Sequence, residues 1–365
     1  MNPKSLLSVL AVAGLCAMAL FPRVSVRAGE VPRNSAYRVL DPIRHGNLTV
    51  FPVVAATSHD TRDFLTLDEG IRSGEVVVSE YGSIQPLVRG RGILPARGGP
   101  QVNELVLVNN SKKPLLLLAG EIVTGGKQDR VIGKDRLVPA ESDPIDLSVF
   151  CVEPGRWTGA SATFGSAGGV MGGTMAQPAV RGKAMGAKNQ AQVWDEVRKQ
   201  QSEMVAKVPA PAAPSVAGTT SYARVMSAPA VTQQVNSLAV PVEREYHSLV
   251  QQLRDRNAVG VVVAVNGEII WADVFASTNL LEKYWPKLVR SYAAEAIAGT
   301  ARAASVDVKP AQQFLDNVDG RRETVESEPG LYRHTEITGD GFKAFELTSL
   351  LPKTGFDLHL AKMAN

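Results

Sequence analysis

Between Tyr37 and Trp157 the apolar positions fall in short runs and alternations, the spacing of strands. Leu48–Val54 reads as one strand, and Pro52 within it predicts an edge or a bulge, because proline cannot donate to a ladder. Leu67–Gly74 reads as a single helical turn stopped by Gly74, followed by a strand over Glu75–Tyr81, and Val88–Gln101 is a Gly- and Arg-rich loop. The apolar runs Val102–Val108 and Leu115–Ala119, joined by the polar segment Asn109–Pro114, predict a hairpin. Leu115–Leu118 is apolar without interruption, so both its faces should be buried, as in a sandwich or a barrel. In Ile145–Cys151 apolar and polar residues alternate, which turns the odd-numbered residues, Cys151 included, toward a core.

The pattern changes at Thr158. Gly165–Gly173 and Pro209–Pro229 are poor in bulky apolar residues, so 158–240 is expected to be a flexible insertion. One helix is expected in it near 189–207, with Val193, Val197 and Met204 on one face and Trp194 packing as its anchor. A further helix is expected to start at Pro241, with Glu243 and Glu245 early, Arg254 and Arg256 late, and a stripe of Tyr246, Leu249, Val250 and Leu253. Gly260–Val265 and Glu268–Val274 flank Asn266-Gly267, the signature of a hairpin with a type I′ turn. Asn279, with Glu282 three residues on, is placed to cap a helix carrying Leu281, Trp285, Leu288 and Tyr292, in which Pro286 should kink the axis or begin a second helix. Pro310–Val318 predicts a short helix and Glu323–Met363 three or four strands. The expectation is an α+β protein whose β-rich N-terminal half (31–157), sandwich- or barrel-like, packs with a hairpin and helices at 241–299 and a helix and β-meander at 300–363.

Residues 1–28 add a cellular address. Lys4 precedes an apolar run of 16 residues, Leu6–Phe21, and Val26-Arg27-Ala28 offers a small-residue cleavage site, the pattern of an export signal. The alternative is an uncleaved membrane anchor, although the run is shorter than the roughly 20 residues that span a bilayer. Exported, the protein would be periplasmic or extracellular, and would touch the membrane only if this segment stayed attached. The full chain carries 39 Lys+Arg against 36 Asp+Glu; without Lys4, Arg23 and Arg27 the basic and acidic counts are equal. The basic footprint of a nucleic-acid binder is therefore not expected. Beyond residue 28 only Cys151 remains of the two cysteines, so an internal disulfide or a cysteine-built zinc site is ruled out.

Candidate chemistry concentrates in Leu115–Trp157. Gly125-Gly126-Lys127-Gln128-Asp129-Arg130 could bring backbone amides and two cations to a phosphate or carboxylate, yet it lacks the spacing of a P-loop and also fits a tight turn with a solvated charged face. Lys127, Gln128, Arg130, Arg156 and Trp157 are the candidate ligand-binding residues. Glu153-Pro-Gly-Arg-Trp157 equally fits an internal Arg–carboxylate bridge stacked on the indole. Glu121 and Glu153 are the candidate acid and base. The five histidines are scattered, with no HxxxH or HxH pair, so neither a His-based metal site nor a base for Cys151 is indicated. No cofactor can be assigned.

The segments AGEIVTGGKQDRV, LVPAES, CVEPGRW, QAQVWDEVRK and VGVVVAVNGEIIWADVFAS, followed by LLEKYWPKLVRSYAAEA, resemble a bacterial family, the ARG (ADP-ribosylglycohydrolase) and rhodanese-phosphatase-superfamily-associated protein domain. These motifs run in order from about Leu65 to Gly299. The family's name records gene-neighbourhood association, not an activity, and it brings no catalytic residues. The resemblance implies that the stretches on either side of 158–240 form one domain; ended at Gly299, it leaves the last strands as an extension. Two functions stay open. One is a non-enzymatic domain binding a small molecule or an envelope protein; the other is an enzyme acting on a nucleotide, ADP-ribose-like or phosphorylated substrate. They part on geometry, because an enzyme needs Glu121, Arg130 and Glu153 around one pocket.

Overall fold

The structure is a computed structural model and describes residues 36–81, 102–167, 173–253 and 256–365. Residues 1–28, for which an export signal is expected, the loop expected at 88–101, residues 168–172 of the Gly-rich run and Arg254 lie outside the described residues. In chain order the elements are β1 (Tyr37–Val39), β2 (Ile43–His45), β3 (Leu48–Ala55), β4 (Leu65–Thr66), α1 (Leu67–Ser73), β5 (Val76–Ser79), β6 (Glu104–Asn109), β7 (Leu115–Leu117), β8 (Ile122–Gly125), β9 (Arg130–Ile132), β10 (Arg136–Val138), β11 (Ile145–Cys151) and β12 (Phe164–Ser166). Then come α2 (Pro178–Gly182), a π-helical turn (Lys183–Ala187), α3 (Gln190–Lys207), α4 (Ala213–Ala217), α5 (Tyr222–Ser227) and α6 (Pro229–Gln252). The remaining elements are β13 (Asn257–Val265), β14 (Glu268–Phe275), α7 (Thr278–Ala298), α8 (Val308–Asp316), β15 (Gly320–Glu328), β16 (Tyr332–Gly339), β17 (Phe342–Ser349) and β18 (Asp357–Ala364). The architecture is α+β.

An antiparallel nine-stranded sheet, ordered β1-β3-β13-β14-β18-β17-β16-β15 with β2 also on β3, joins the first three strands to the last four. Strand alternation sends Val261, Val263 and Trp271 to one face, against α6 and α7, and Phe51, Val262 and Ala264 to the other, against Ala311 and Leu315 of α8. Burial on both faces is why β3 and β13 are almost uninterruptedly apolar. A six-stranded sheet (β12-β8-β9-β11-β6-β5) and a three-stranded one (β10-β7-β4) enclose a second core beneath α1.

Local signals act as expected in several places. Gly74 ends α1 with φ 74°, and Thr66 and Glu69 close a capping box at its start. Asn266 and Gly267, at φ 54° and 78°, make the tight turn between β13 and β14. Along β11 the odd residues Leu147, Val149 and Cys151 are buried.

Other expectations are corrected. β6 and β7 form no hairpin: β6 pairs with β5 and β11, and β7 with β4 and β10, so Asn109–Pro114 crosses between sheets. Pro52 sits inside the large sheet, paired to Val261 on one side. Its carbonyl accepts from Leu40 N on the other side, in the gap where pairing passes from β1 to β2, so the missing donor breaks no ladder bond.

The expected flexible insertion is folded over its described residues. Alanine, the best helix former, lets this composition form helices, and the few larger side chains are spaced to bury. Val231, Val235, Ala239, Val242 and Tyr246 form one stripe of α6, which starts at Pro229 and carries Pro241 inside it. Ser277, not Asn279, caps α7, and one helix continues through Pro286. The last strands are no appendage either, since β18 lies between β14 and β17.

Candidate functional site

The Gly125–Arg130 turn joins β8 to β9. Its backbone amides, the groups an anion would use, are engaged: Gly125 N donates to Asp129, Gly126 N to Ser161, Lys127 N to Glu80 and Asp129 N to Glu153, at 2.9–3.2 Å. Both glycines are required. Gly125 and Gly126 have φ 129° and 48°, and a Cβ on Gly126 would lie 2.3 Å from the Phe164 ring. Asp129 accepts from Ser221 Oγ at 2.5 Å, which ties the turn to the start of α5.

Arg130 is fully buried, donating to Gln128 O at 2.6 Å and facing Glu80 at 3.7 Å. Burial holds its guanidinium pKa below the usual value, against the pull of the Glu80 and Asp129 carboxylates. Glu153 is buried as well and pairs with Arg156 at 2.6 Å. Gln128 donates to Glu153 O. Trp157 is exposed, and the cation over its ring is Lys127, 5.0 Å from the centroid, not Arg156. Lys127, Gln128, Arg130, Glu153, Arg156 and Trp157 thus gather at one end of the β8–β9 ribbon, where Arg156 and Glu153 pair but Gln128 Oε1, Arg130 Nε and Nη2 and Arg156 Nε find no hydrogen-bond partner among the described residues. Glu121 is elsewhere. Cys151, opposite Arg130 in the register, is buried, and burial raises its thiol pKa, so it offers no thiolate.

Ala119-Gly120-Glu121 is instead where two buried charge networks meet. Glu121 accepts from Leu118 N at 2.7 Å and from Lys287 Nζ of α7 at 2.5 Å, and Lys287 also reaches Asp68 at 2.6 Å. Burial opposes the Lys287 charge, but the two carboxylates hold its pKa above the usual value. On the other side Ala119 N donates to Asp135 at 2.7 Å, and Asp135 contacts His359 Nδ1 at 2.5 Å. His359 Nε2 lies 3.1 Å from Asp273, which receives both terminal nitrogens of Arg181 at 2.9 and 3.0 Å and the Tyr292 hydroxyl. Arg181 stacks on Trp271 at 4.5 Å. Asp135, Arg181, Asp273, Tyr292 and His359 have no exposure at all, so they brace the fold out of reach of any ligand.

Open space lies beside this brace. A cleft of about 500 Å³ is formed by α2, the π-helical turn, α3, α7 and the ends of β14, β17 and β18, and Trp271 and Met363 contribute apolar wall. Its charged lining is Lys183, Lys199, Lys343, Glu196 and Glu295. Lys199 pairs with Glu196 at 3.3 Å, whereas Lys183 and Lys343 have no carboxylate partner among the described residues; Lys343 reaches only Gly186 O, at 3.4 Å. Glu295 Oε2 accepts from Ala179 N at 2.9 Å and Gln177 Nε2 at 3.2 Å, and Gln177 continues through Gln200 to Glu196. Burial raises the Glu295 pKa, with the Glu196 charge adding to it. Single π-helical turns recur at functional sites. Here one face of the turn (Lys183, Gly186, Ala187) lines this cleft and the other (Ala184, Met185) a second, smaller one. Sequence reasoning missed these residues because Lys183–Ala187 sits in the Gly/Ala-rich stretch and no motif links it to Glu295 or Lys343.

The fold and its cleft define an α+β domain built around buried ion pairs, with a polar cleft beside them and no motif of a known catalyst. The chain belongs to the ARG and Rhodanese-Phosphatase-superfamily-associated Protein domain family, whose match covers residues 36–361 and so takes in both the helical stretch at 158–240 and the closing strands. No curated protein and no solved structure matches it.

Proposed function

We propose that this is an exported, non-catalytic binding protein that takes a small hydrophilic anion, such as a phosphorylated or carboxylated sugar, in the cleft between the π-helical turn and Trp271. The observation that carries this reading is the pair Lys183 and Lys343, two cations without carboxylate partners among the described residues, beside an apolar wall. Separation of Glu121 from Arg130 and Glu153 removes the arrangement that an enzyme built on the β8–β9 loop would need. Export rests on the N-terminal pattern of Lys4, the apolar run Leu6–Phe21 and the small-residue site at Val26-Arg27-Ala28.

The test is calorimetric titration with sugar phosphates, uronic acids and uncharged sugars. Expected is saturable binding of the anionic members, weakened at least about tenfold in Lys183→Ala and in Lys343→Ala, the worth of one charge-assisted hydrogen bond. Binding unchanged in both variants, or none across the anionic panel, would sink the proposal. Arg130→Ala is no substitute, since a fully buried guanidinium reports on folding. A catalytic reading draws support from the raised Glu295 carboxyl beside Glu196, a pair suited to acid–base work, and turnover of a bound compound would establish it. Fractionation of cells expressing the full chain tests export.

A further inference from the structure

The smaller cavity, about 270 Å³, lies between the six-stranded sheet and the C-terminal meander, with the π-helical turn as one wall. Phe150, Phe345, Ala184 and Met185 line it with apolar surface. Its charges cancel locally: Lys134 pairs with Glu326, and Lys188 with Glu336 at 2.5 Å. Two polar side chains are left over, Ser148 on the exposed rim and one that is buried. The buried one, His334 on β16, is 1% exposed, and neither Nδ1 nor Nε2 has a hydrogen-bond partner among the described residues. Its ring lies roughly parallel to that of Phe345, with centroids 6.4 Å apart.

A buried imidazole with both nitrogens unpaired is costly in a folded protein unless something else uses them. Desolvation lowers the His334 pKa, so the ring is neutral at physiological pH and offers one donor and one acceptor. Apolar and aromatic walls, no unpaired charge, and an imidazole donor and acceptor that diverge from one ring, so that a ligand pairs with one of them at a time, select for an uncharged planar ring and against an ion. We infer that this cavity is a second binding site, for a small uncharged aromatic heterocycle held flat among Phe150, Phe345 and Met185 and hydrogen-bonded to His334. It takes a different ligand class from the lysine-bearing cleft, and its failure would leave that reading untouched.

The probe is 1H-indazole, whose adjacent ring N–H and ring nitrogen present a donor and an acceptor together; benzoate serves as the charged control. Saturation-transfer NMR on residues 29–365 should show indazole bound and benzoate at least about tenfold weaker. His334→Phe, which keeps an aromatic ring but cannot hydrogen-bond, should weaken indazole by about tenfold or more. Should that variant not fold, the ring 15N resonances of wild-type His334 decide: they should move on adding indazole while those of the exposed His247 stay. No indazole binding, equal binding of benzoate, undiminished binding to a folded His334→Phe, or unmoved His334 resonances would each overturn the inference.

Discussion

His359 is the most informative single substitution. It is fully buried between Asp135 and Asp273, and although burial alone would favour the neutral ring, the two carboxylates raise its pKa from 6.5 to about 9. A group with a raised folded pKa contributes stability that is fully present below the unfolded pKa and lost as pH climbs through the folded one. Here the loss should run from about pH 6.5 to about pH 9. At about 1.4 kcal/mol per unit, this shift corresponds to about 3 kcal/mol. Lys362 titrates nearby with the opposite sign: burial lowers its pKa from 10.5 to about 8, so it adds stability as pH rises from about 8 toward 10.5. Wild-type protein alone would blur the two effects. Urea unfolding of wild type and His359→Gln, from pH 5.5 to 9.5, separates them. Below pH 6.5 the variant should be less stable by several kcal/mol, because two buried carboxylates lose the cation between them. That gap should shrink by about 3 kcal/mol toward pH 9.5. Parallel curves across the range would refute a charged His359.

Three further outcomes follow from the same geometry. Gly120 has φ 95°, and a Cβ there would lie 2.5 Å from Arg181 Cγ, so Gly120→Ala should cost about 2–5 kcal/mol in denaturant unfolding, from backbone strain and overpacking together. Lys287→Met strips the ammonium from Glu121 and Asp68; a loss of about 3–5 kcal/mol is expected, shrinking at acid pH as the stranded carboxylates protonate, and a loss independent of pH would show that the pairing does not matter. Cys151 should resist thiol reagents in native buffer and react at once in denaturant, whereas rapid native labelling would place its thiol at the surface.

What the chain determines by itself is local. Asn266-Gly267 imposes its turn because few residues accept two successive positive φ angles, and Gly74 stops α1 for the same kind of reason. The alternation in Ile145–Cys151 puts Cys151 inward whatever it pairs with, since side chains on a strand alternate sides. The helix at 190–207 follows from its own stripe and from the Asn189 cap.

Tertiary structure decided everything that depends on distant partners. Runs such as Leu105–Val108 and Leu115–Leu117 satisfy a hairpin pattern and a sheet change equally well, and only the strands that arrive later choose between them. Pro52 is tolerated inside a sheet because its neighbours change at that residue. The segment at 158–240 looked too poor in apolar bulk to fold, yet its sparse valines meet a core supplied by α7 and β13. Glu121 reads as a loop carboxylate until Lys287, 166 residues away, pairs with it, and nothing along the chain links Arg181 to Asp273, which receives both its terminal nitrogens. Both clefts are likewise assembled from side chains far apart in sequence. Desolvation and ion pairing depend on which groups meet in space, and no spacing along the chain encodes that meeting.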